Sequence, residues 1–335
     1  MIEIGSEFWY QSLSSDLQKF ENEEYLLSGR TALKFIIDDI CRKRPFQKVL
    51  LPSYCCESMI EPFIRTGVKV EFYQVYQNFV DYPYDNDADA VLLIDFFGYV
   101  NPQNAEIASC ERQKGKVIIY DATHKIDGNR ALADCIDYSF CSYRKWFYCN
   151  FSKAVKYCGV FHKNGGFKRN EAYVKIRDTA ASEKEKYIAG LIEEKEHFLS
   201  GFSCAEQLLD DDYDGYAGDP VLFDIEHMIS KRRANAECLI EKLKKIPEVQ
   251  VWRERLQQED TPLFVPILVN KDIRYDLRKH LSNHSIYCPI HWPLSQYHNK
   301  SDDLYDSELS LICDQRYDLS DMEQIVSTIK KYFDR

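Results

Sequence analysis

Across 335 residues the chain is 45% hydrophobic and 14% aromatic, enough apolar mass for one large domain and a smaller one and too much for a disordered chain. A formal net charge of −11, with a pI near 5.3, argues against a nucleic-acid groove, which needs clustered Lys and Arg. The apolar runs are too short to cross a bilayer and the start, MIEIGSEFWYQS, lacks the basic opening and apolar stretch of a secretion signal, so a cytoplasmic protein is expected, without membrane contact.

In chain order, IGSEFWY reads either as a packing segment or as an arm toward a second subunit. SGRTALKFIIDDICRK follows as an amphipathic helix, with Ser28 at its cap and apolar residues from Ala32 to Ile40 at helical spacing. KVLLPSY (48–54), VKVEFYQV (68–75), AVLLIDFFG (90–98), KVIIYDAT (116–123) and DYSFCSY (137–143) are β-branched runs, and helix-length segments such as ESMIEPFIRTG and NPQNAEIASCERQKG separate the earlier ones. That alternation predicts βαβ units and a mostly parallel sheet. From Ser182 to Leu209 the chain is charged and helical, and DDDYDGYAGDP is a loop. A long helix from about Val221 to Lys245 opens a compact α+β module built on TPLFVPILV, IRYDLRKHLS, SIYCPI and DMEQIVSTIKKYF. The expected division is 1–220 and 221–335. KRRANAECLIEKLKK, the most basic stretch, has the pattern of one wet helix face.

No metal site is expected: the twelve cysteines contain no CxxC, and HLSNH, with His280 and His284, has Leu where a zinc protease has Glu. No GxGxxG follows a strand, which sets aside a dinucleotide-binding oxidoreductase.

Open parallel sheets bind ligands at the carboxyl ends of their strands. There, Asp121 ends VIIYD with His124 one turn on, Ser139 and Ser142 lie in or just after the next strand, and Lys145 follows Ser142 at SxxK spacing. Taken singly, Asp121 reads as a turn residue and Lys145 as a surface charge. Together with the Gly-led helix start at SGRT they suit pyridoxal phosphate. A lysine amine can form a Schiff base with its aldehyde, a carboxylate can keep its pyridine nitrogen protonated, and helix N–H groups can hold its phosphate.

The same motifs resemble, in order and over nearly the whole length, those of fold-type I pyridoxal-phosphate-dependent aminotransferases, and within them the DegT/DnrJ-type sugar aminotransferases. SGRTAL is similar to that family's SGTxAL phosphate loop, VLLPSYCCESMIEP to its VIVPxxTxxAT segment and VIIYDATHKI to its DxAH motif. SFCSYRK falls where its lysine lies, SIYCPIHWPL resembles its YxPLH segment, and LICDQRYDLSDMEQI its LPxxxxLxxxDM pattern. The resemblance implies an α/β fold: a mostly parallel sheet in a large domain with a smaller α+β C-terminal domain. It makes Lys145 the Schiff-base lysine, Asp121 the partner of the pyridine nitrogen and His124 a neighbour of the ring or its 3-hydroxyl. Gly29, Arg30 and Thr31 become phosphate contacts, with Ser142 and Ser139 as competing further ones.

Three departures stand out. Cys56 occupies the place of a cofactor-stacking aromatic, so that stacking is either lost or taken over by Tyr54; Cys158 and Gly159 replace a GG pair, which implies an insertion around FYCNFSKAVKY; and no NYRM segment is found. Lys145, expected to be buried among Tyr143, Trp146 and Phe147 beside Arg144, should have a depressed pKa. On the substrate side, His291 and Trp292 either line the cleft or form a rigid turn, Arg144 stands next to the lysine, and Arg316 either holds a carboxylate or pairs with Asp314 or Asp318. The implied activity is transfer of an amino group, commonly from glutamate, to a keto-sugar nucleotide in amino-sugar or surface-polysaccharide synthesis by a homodimer. The alternatives are a different α-carbon reaction on the same cofactor, such as dehydration, or a catalytically degenerate homodimer of the same fold.

Overall fold

Each apolar run that ends in a polar residue becomes a strand, and the segment after it carries the chain back to start the next. The computed structural model describes residues 3–9, 20–162, 167–217, 224–298 and 303–334. It begins with β1 (Ile4–Gly5), β2 (Glu23–Leu26) and α1 (Gly29–Lys43), then β3 (Lys48–Pro52), α2 (Glu57–Arg65), β4 (Lys69–Val75) and β5 (Val80–Asp81). β6 (Ala90–Ile94), α3 (Gln103–Gln113), β7 (Val117–Asp121), β8 (Tyr138–Ser142) and β9 (Ser152–Lys156) complete the first half.

Among the described residues these strands, β1 apart, form one eight-stranded sheet in the order β2-β9-β8-β7-β6-β3-β4-β5. The five expected runs, β8, β7, β6, β3 and β4, are parallel neighbours. β9 lies antiparallel between β8 and β2, and β5 antiparallel to β4. Residues 152–156, within the FYCNFSKAVKY segment, form this strand. Both faces are covered, which is why the central strands read as unbroken apolar runs. Leu50, Val91, Leu93, Ile118 and Tyr120 feed one core, and Val49, Leu51, Leu92, Ile119 and Phe140 the other. Leu33, Ile36 and Ile37 of α1 close that second core, each without exposed surface and each contributing about 1.5–3 kcal/mol.

The charged stretch forms two helices, α4 (Glu171–Ile188) and α5 (Glu196–Asp211), between the paired strands β10 (Lys168–Arg169) and β11 (Gly215–Tyr216). The segment expected to be helical from Ser182 to Leu209 is interrupted after Ala189, where Gly190 takes φ of 72° and its N–H closes the turn on the Tyr187 carbonyl at 3.0 Å. Phe8 packs with Tyr148, Ala181, Phe198 and Phe202 in the small core between α4 and α5.

α6 (Ile225–Leu243) begins the C-terminal body; residues 221–223, where that helix was expected to start, lie outside the described residues. β12 (Gln250–Val251), β13 (Val265–Leu268), α7 (Lys271–Ser282), β14 (Ile286–Tyr287), α8 (Asp303–Ser307), β15 (Glu308–Leu311) and α9 (Leu319–Phe333) follow. An antiparallel sheet, β12-β13-β15, packs with α6, α7 and α9 around Leu239, Ile267, Leu277, Leu309 and Ile325. β1 pairs with β14 and carries Ile4 into the same core.

Candidate active site

β7 delivers Asp121 to the carboxyl edge of the sheet, beside β8 in register. Its carboxylate accepts the Thr123 N–H at 2.8 Å and is 3% exposed. Burial pushes its pKa up to about 6, against the pull of the Thr123 hydrogen bonds, and among the described residues no cation pairs with it. Thr123, which sequence reasoning passed over, staples the edge: its hydroxyl accepts the Ser142 N–H at 3.2 Å and its carbonyl the Trp146 indole N–H at 2.7 Å. The signal was present in the T of DATH.

His124 accepts the Phe97 N–H on Nδ1 at 3.0 Å, which leaves the ring proton on Nε2. Burial and the nearby Lys145 charge lower its pKa to about 3, so it is a neutral donor at any working pH. Its ring lies nearly parallel to Trp292, with centroids 5.4 Å apart.

Lys145 ends a single tight turn, Tyr143–Lys145, directly after β8. The expectation that it is buried among its aromatic neighbours is corrected: Trp146 and Phe147 fold inward, whereas Lys145 stays open to a cleft. Crowding by the cleft walls and then the Arg144 charge lower its pKa, opposed by Glu206 and Glu7. Because the amine keeps open surface, this is the partial dehydration of a recess and not of a closed core. Arg144 is itself held by Glu206. Cys56, at the cap of α2, feels both the Asp121 and Lys145 charges, and Lys145 also acts on His291, so these groups share one site.

The start of α1 meets the same edge. Ser28 caps it by accepting the Thr31 N–H at 3.2 Å, and a Cβ on Gly29 would stand 3.2 Å from the Ser142 Cβ. Glycine is thus what lets the helix N–H groups come up to Ser142. Thr31 is buried, bonded to Ser28 at 2.9 Å and to the Asp212 carbonyl at 3.3 Å. The Arg30 guanidinium pairs with Asp210 at 2.9 Å and stacks on Tyr213, which leaves only its backbone N–H at the helix start. Ser139 lies three residues back along β8, about 10 Å away, bonded to Tyr157 at 3.1 Å. Of the two serines, Ser142 is the one brought to α1.

The C-terminal body supplies the facing wall. The Tyr54 hydroxyl donates to the His291 carbonyl, and its ring lies 5.0 Å from that of Trp292. Arg316 binds Asp314 through Nε at 2.9 Å and Nη2 at 2.7 Å, the ion-pair alternative. The cleft measures about 400 Å³ and is lined by Lys145, Arg144, Arg177, Glu7, His291 and Arg316, among others. Arg177, on α4, is a further cation that sequence reasoning missed, since it sits in a stretch that reads as wet helix. It is 1% exposed and its Nε and Nη1 have no hydrogen-bond partner among the described residues. No cluster of metal-ligating side chains occurs among the described residues.

No family model matches this sequence, and no curated protein matches it. Solved structures do. The aminotransferase TlmJ of Streptoalloteichus hindustanus is 15% identical, with a TM-score of 0.62 over 93% of this chain and 85% of that one. Helicobacter pylori PseC, an aminotransferase of pseudoaminic acid biosynthesis, is 13% identical, with a TM-score of 0.64 over 98% and 100%. Bacillus subtilis NtdA, solved with bound PMP, is 12% identical, with a TM-score of 0.61 over 92% of this chain and 73% of its own. At such identities the likeness is one of architecture. This chain has the α/β fold of the sugar aminotransferases, fold-type I of the pyridoxal-phosphate enzymes.

Proposed function

We propose that the chain is a pyridoxal-phosphate-dependent aminotransferase that passes an amino group from glutamate to a keto-sugar nucleotide in amino-sugar or surface-polysaccharide synthesis. It would work in the cytoplasm as a homodimer, with 1–220 as the cofactor-binding domain and 221–335 as the smaller one. Among the described residues no helix is long and apolar enough to cross a membrane. The observation that carries the reading is the meeting, at one sheet edge, of Lys145, the buried Asp121 and the start of α1 against Ser142.

The residues fit that cofactor. Asp121 is a buried carboxylate without a paired cation among the described residues, and a protonated ring nitrogen would restore its charge and draw its pKa back down. The N–H groups at the start of α1 and the Ser142 hydroxyl would hold the phosphate. When bound, pyridoxal phosphate supplies an aldehyde and a ring that draws electrons from the substrate α-carbon. Lys145, with its lowered pKa, would hold the aldehyde through its amine and move the proton at the reacting carbons. His124 presents an Nε2 proton that neutral imidazole keeps.

The test is the visible spectrum of protein purified with pyridoxal phosphate, then borohydride reduction and peptide mass mapping. A yellow protein, bleached by glutamate, with its adduct on Lys145 is the expected result; no colour, or an adduct elsewhere, overturns it. Cys56, which feels the Asp121 and Lys145 charges where relatives carry a stacking aromatic, leaves a second reading in which the same cofactor serves dehydration. Bleaching by glutamate discriminates against that one.

A further inference from the structure

Glu308 opens β15 with no exposed surface, a costly place for a carboxylate. Among the described residues no lysine or arginine binds its carboxyl oxygens. Arg274, whose charge reaches Glu308, spends Nη1 on the Tyr305 and Glu308 carbonyls. Instead Oε2 accepts the His291 N–H at 2.7 Å and Oε1 accepts from the Ser310 hydroxyl, while the same hydroxyl oxygen stands 2.9 Å from His291 Nδ1. Residues two apart on a strand share a face, so Glu-x-Ser sets carboxylate and hydroxyl side by side against the 289–291 segment. His291 also lines the cleft that Lys145 lines, and with Nδ1 committed to Ser310, Nε2 is the nitrogen left for the cleft.

We propose that Glu308, Ser310 and His291 form a proton relay between a buried carboxylate and the cleft. Its purpose rests on the aminotransferase reading; its existence does not. Inward, an N–H bond of the Lys145 ammonium breaks as His291 Nε2–H forms, the Nδ1 proton passes to Ser310 Oγ, and the Ser310 proton passes to Glu308 Oε1. The products are a neutral amine, the other imidazole tautomer, an intact hydroxyl and a carboxylic acid; the reverse run returns the proton. Glu308 and Ser310 are positioning residues, and His291 is the group that meets the cleft.

Burial sets the Glu308 proton affinity near neutrality, with a pKa of about 8, against the Ser310 and His291 hydrogen bonds and the Arg274 charge. Tyr54 from the end of β3 and Cys288 after β14 also face Glu308, and His291 faces His124 and Lys145. His124 cannot substitute, because its Nδ1 is held by the Phe97 N–H.

The test is ¹⁵N NMR of the histidine rings in the full chain between pH 6 and 10. His291 is expected to carry its proton on Nε2 below about pH 8 and on Nδ1 above it, following Glu308. Glu308→Gln and, should that variant fold poorly, Ser310→Ala remove the inflection, and Ser310→Thr keeps it. A single His291 tautomer throughout in the unsubstituted chain, or an inflection that survives Ser310→Ala, overturns the relay. No cofactor is needed for this readout, so an intact inflection in a protein that takes up no pyridoxal phosphate would overturn the aminotransferase reading alone. In an active enzyme, Ser310→Ala lowers kcat by about tenfold with KM unchanged.

Discussion

The two walls of the candidate site are built differently, and of the residues that form them Lys145 and His291 line the cleft itself. The sheet wall takes Gly29, Asp121, Ser142 and Lys145 from strand and helix ends, and the backbone sets most of their places: β7 pairs with β8, α1 starts against Ser142, and the Thr123 hydroxyl ties in the Ser142 N–H. The opposite wall gathers Tyr54, His291, Glu308 and Ser310 from segments far apart in sequence, held by side-chain hydrogen bonds. On the proposed reading the first wall holds the cofactor and the second handles protons and substrate. Damage to one should then separate from damage to the other.

The sharpest break is Lys145→Ala. The residue is open to the cleft, so stability should stay within about 0.5 kcal/mol, while activity falls by about a thousandfold or more and the borohydride adduct disappears. An unchanged adduct would remove Lys145 from the sheet wall's chemistry. Asp121→Asn comes next, with cofactor affinity down by about a hundredfold and, at the same time, a more stable cofactor-free protein at pH 8. The sign follows from the raised pKa: the native state holds the proton more tightly, so the favourable contribution is full below the ordinary 3.8 and is lost as pH rises through about 6. At pH 8 the buried charge then costs about 3 kcal/mol, which Asn removes. Urea unfolding at pH 4 and pH 8 should show the gap between variant and parent widening with pH.

A finer cut lies within the sheet wall. Ser142→Ala should weaken cofactor binding by about ten- to a hundredfold, the worth of one hydrogen bond to a charged group. Ser139→Ala should leave binding unchanged, since that hydroxyl is bonded to Tyr157. Equal losses from both would mean that the cradle is not where α1 meets Ser142. Titration of pyridoxal phosphate by absorbance decides it.

The difference between the walls also explains what the sequence disclosed. The five parallel strands were legible because each is a run rich in β-branched, aromatic or aliphatic residues, unbroken in AVLLI and VIIY, and Asp121 and Ser142 were legible because they end two of them. β2 and β9 were not: EEYL and SKAVK form an antiparallel pair at the sheet margin, where the ion pair of Lys153 with Glu23 at 2.8 Å stands in place of an apolar contact. Lys145 was expected to be buried and is not, because the aromatic residues after it satisfy their own burial and leave it outside. Glu308 and Ser310 gave no signal, since a buried Glu-x-Ser at a strand start looks like a wet edge until the 289–291 segment is laid against it. Arg177 was hidden for the same reason, in a helix whose charges read as solvated.

Tyr54 joins the two walls and provides the smallest and most discriminating change. The departure at Cys56 made Tyr54 the substitute cofactor stacker, but its ring is packed against Phe96, Trp252, Trp292 and Tyr305, with no exposed surface, and its hydroxyl donates to the His291 carbonyl. Removing that donor leaves a buried carbonyl short of one bond, so Tyr54→Phe should cost about 1 kcal/mol of stability. If the tyrosine serves the C-terminal wall, cofactor affinity stays within about twofold while KM for the acceptor rises a few-fold, because His291 loses its anchor. If it serves as the stacking ring instead, Tyr54→Phe changes neither quantity, since phenylalanine keeps the ring, and Tyr54→Leu weakens cofactor binding by about tenfold, the worth of one aromatic stack. The two variants, titrated side by side, assign Tyr54 to one wall or the other.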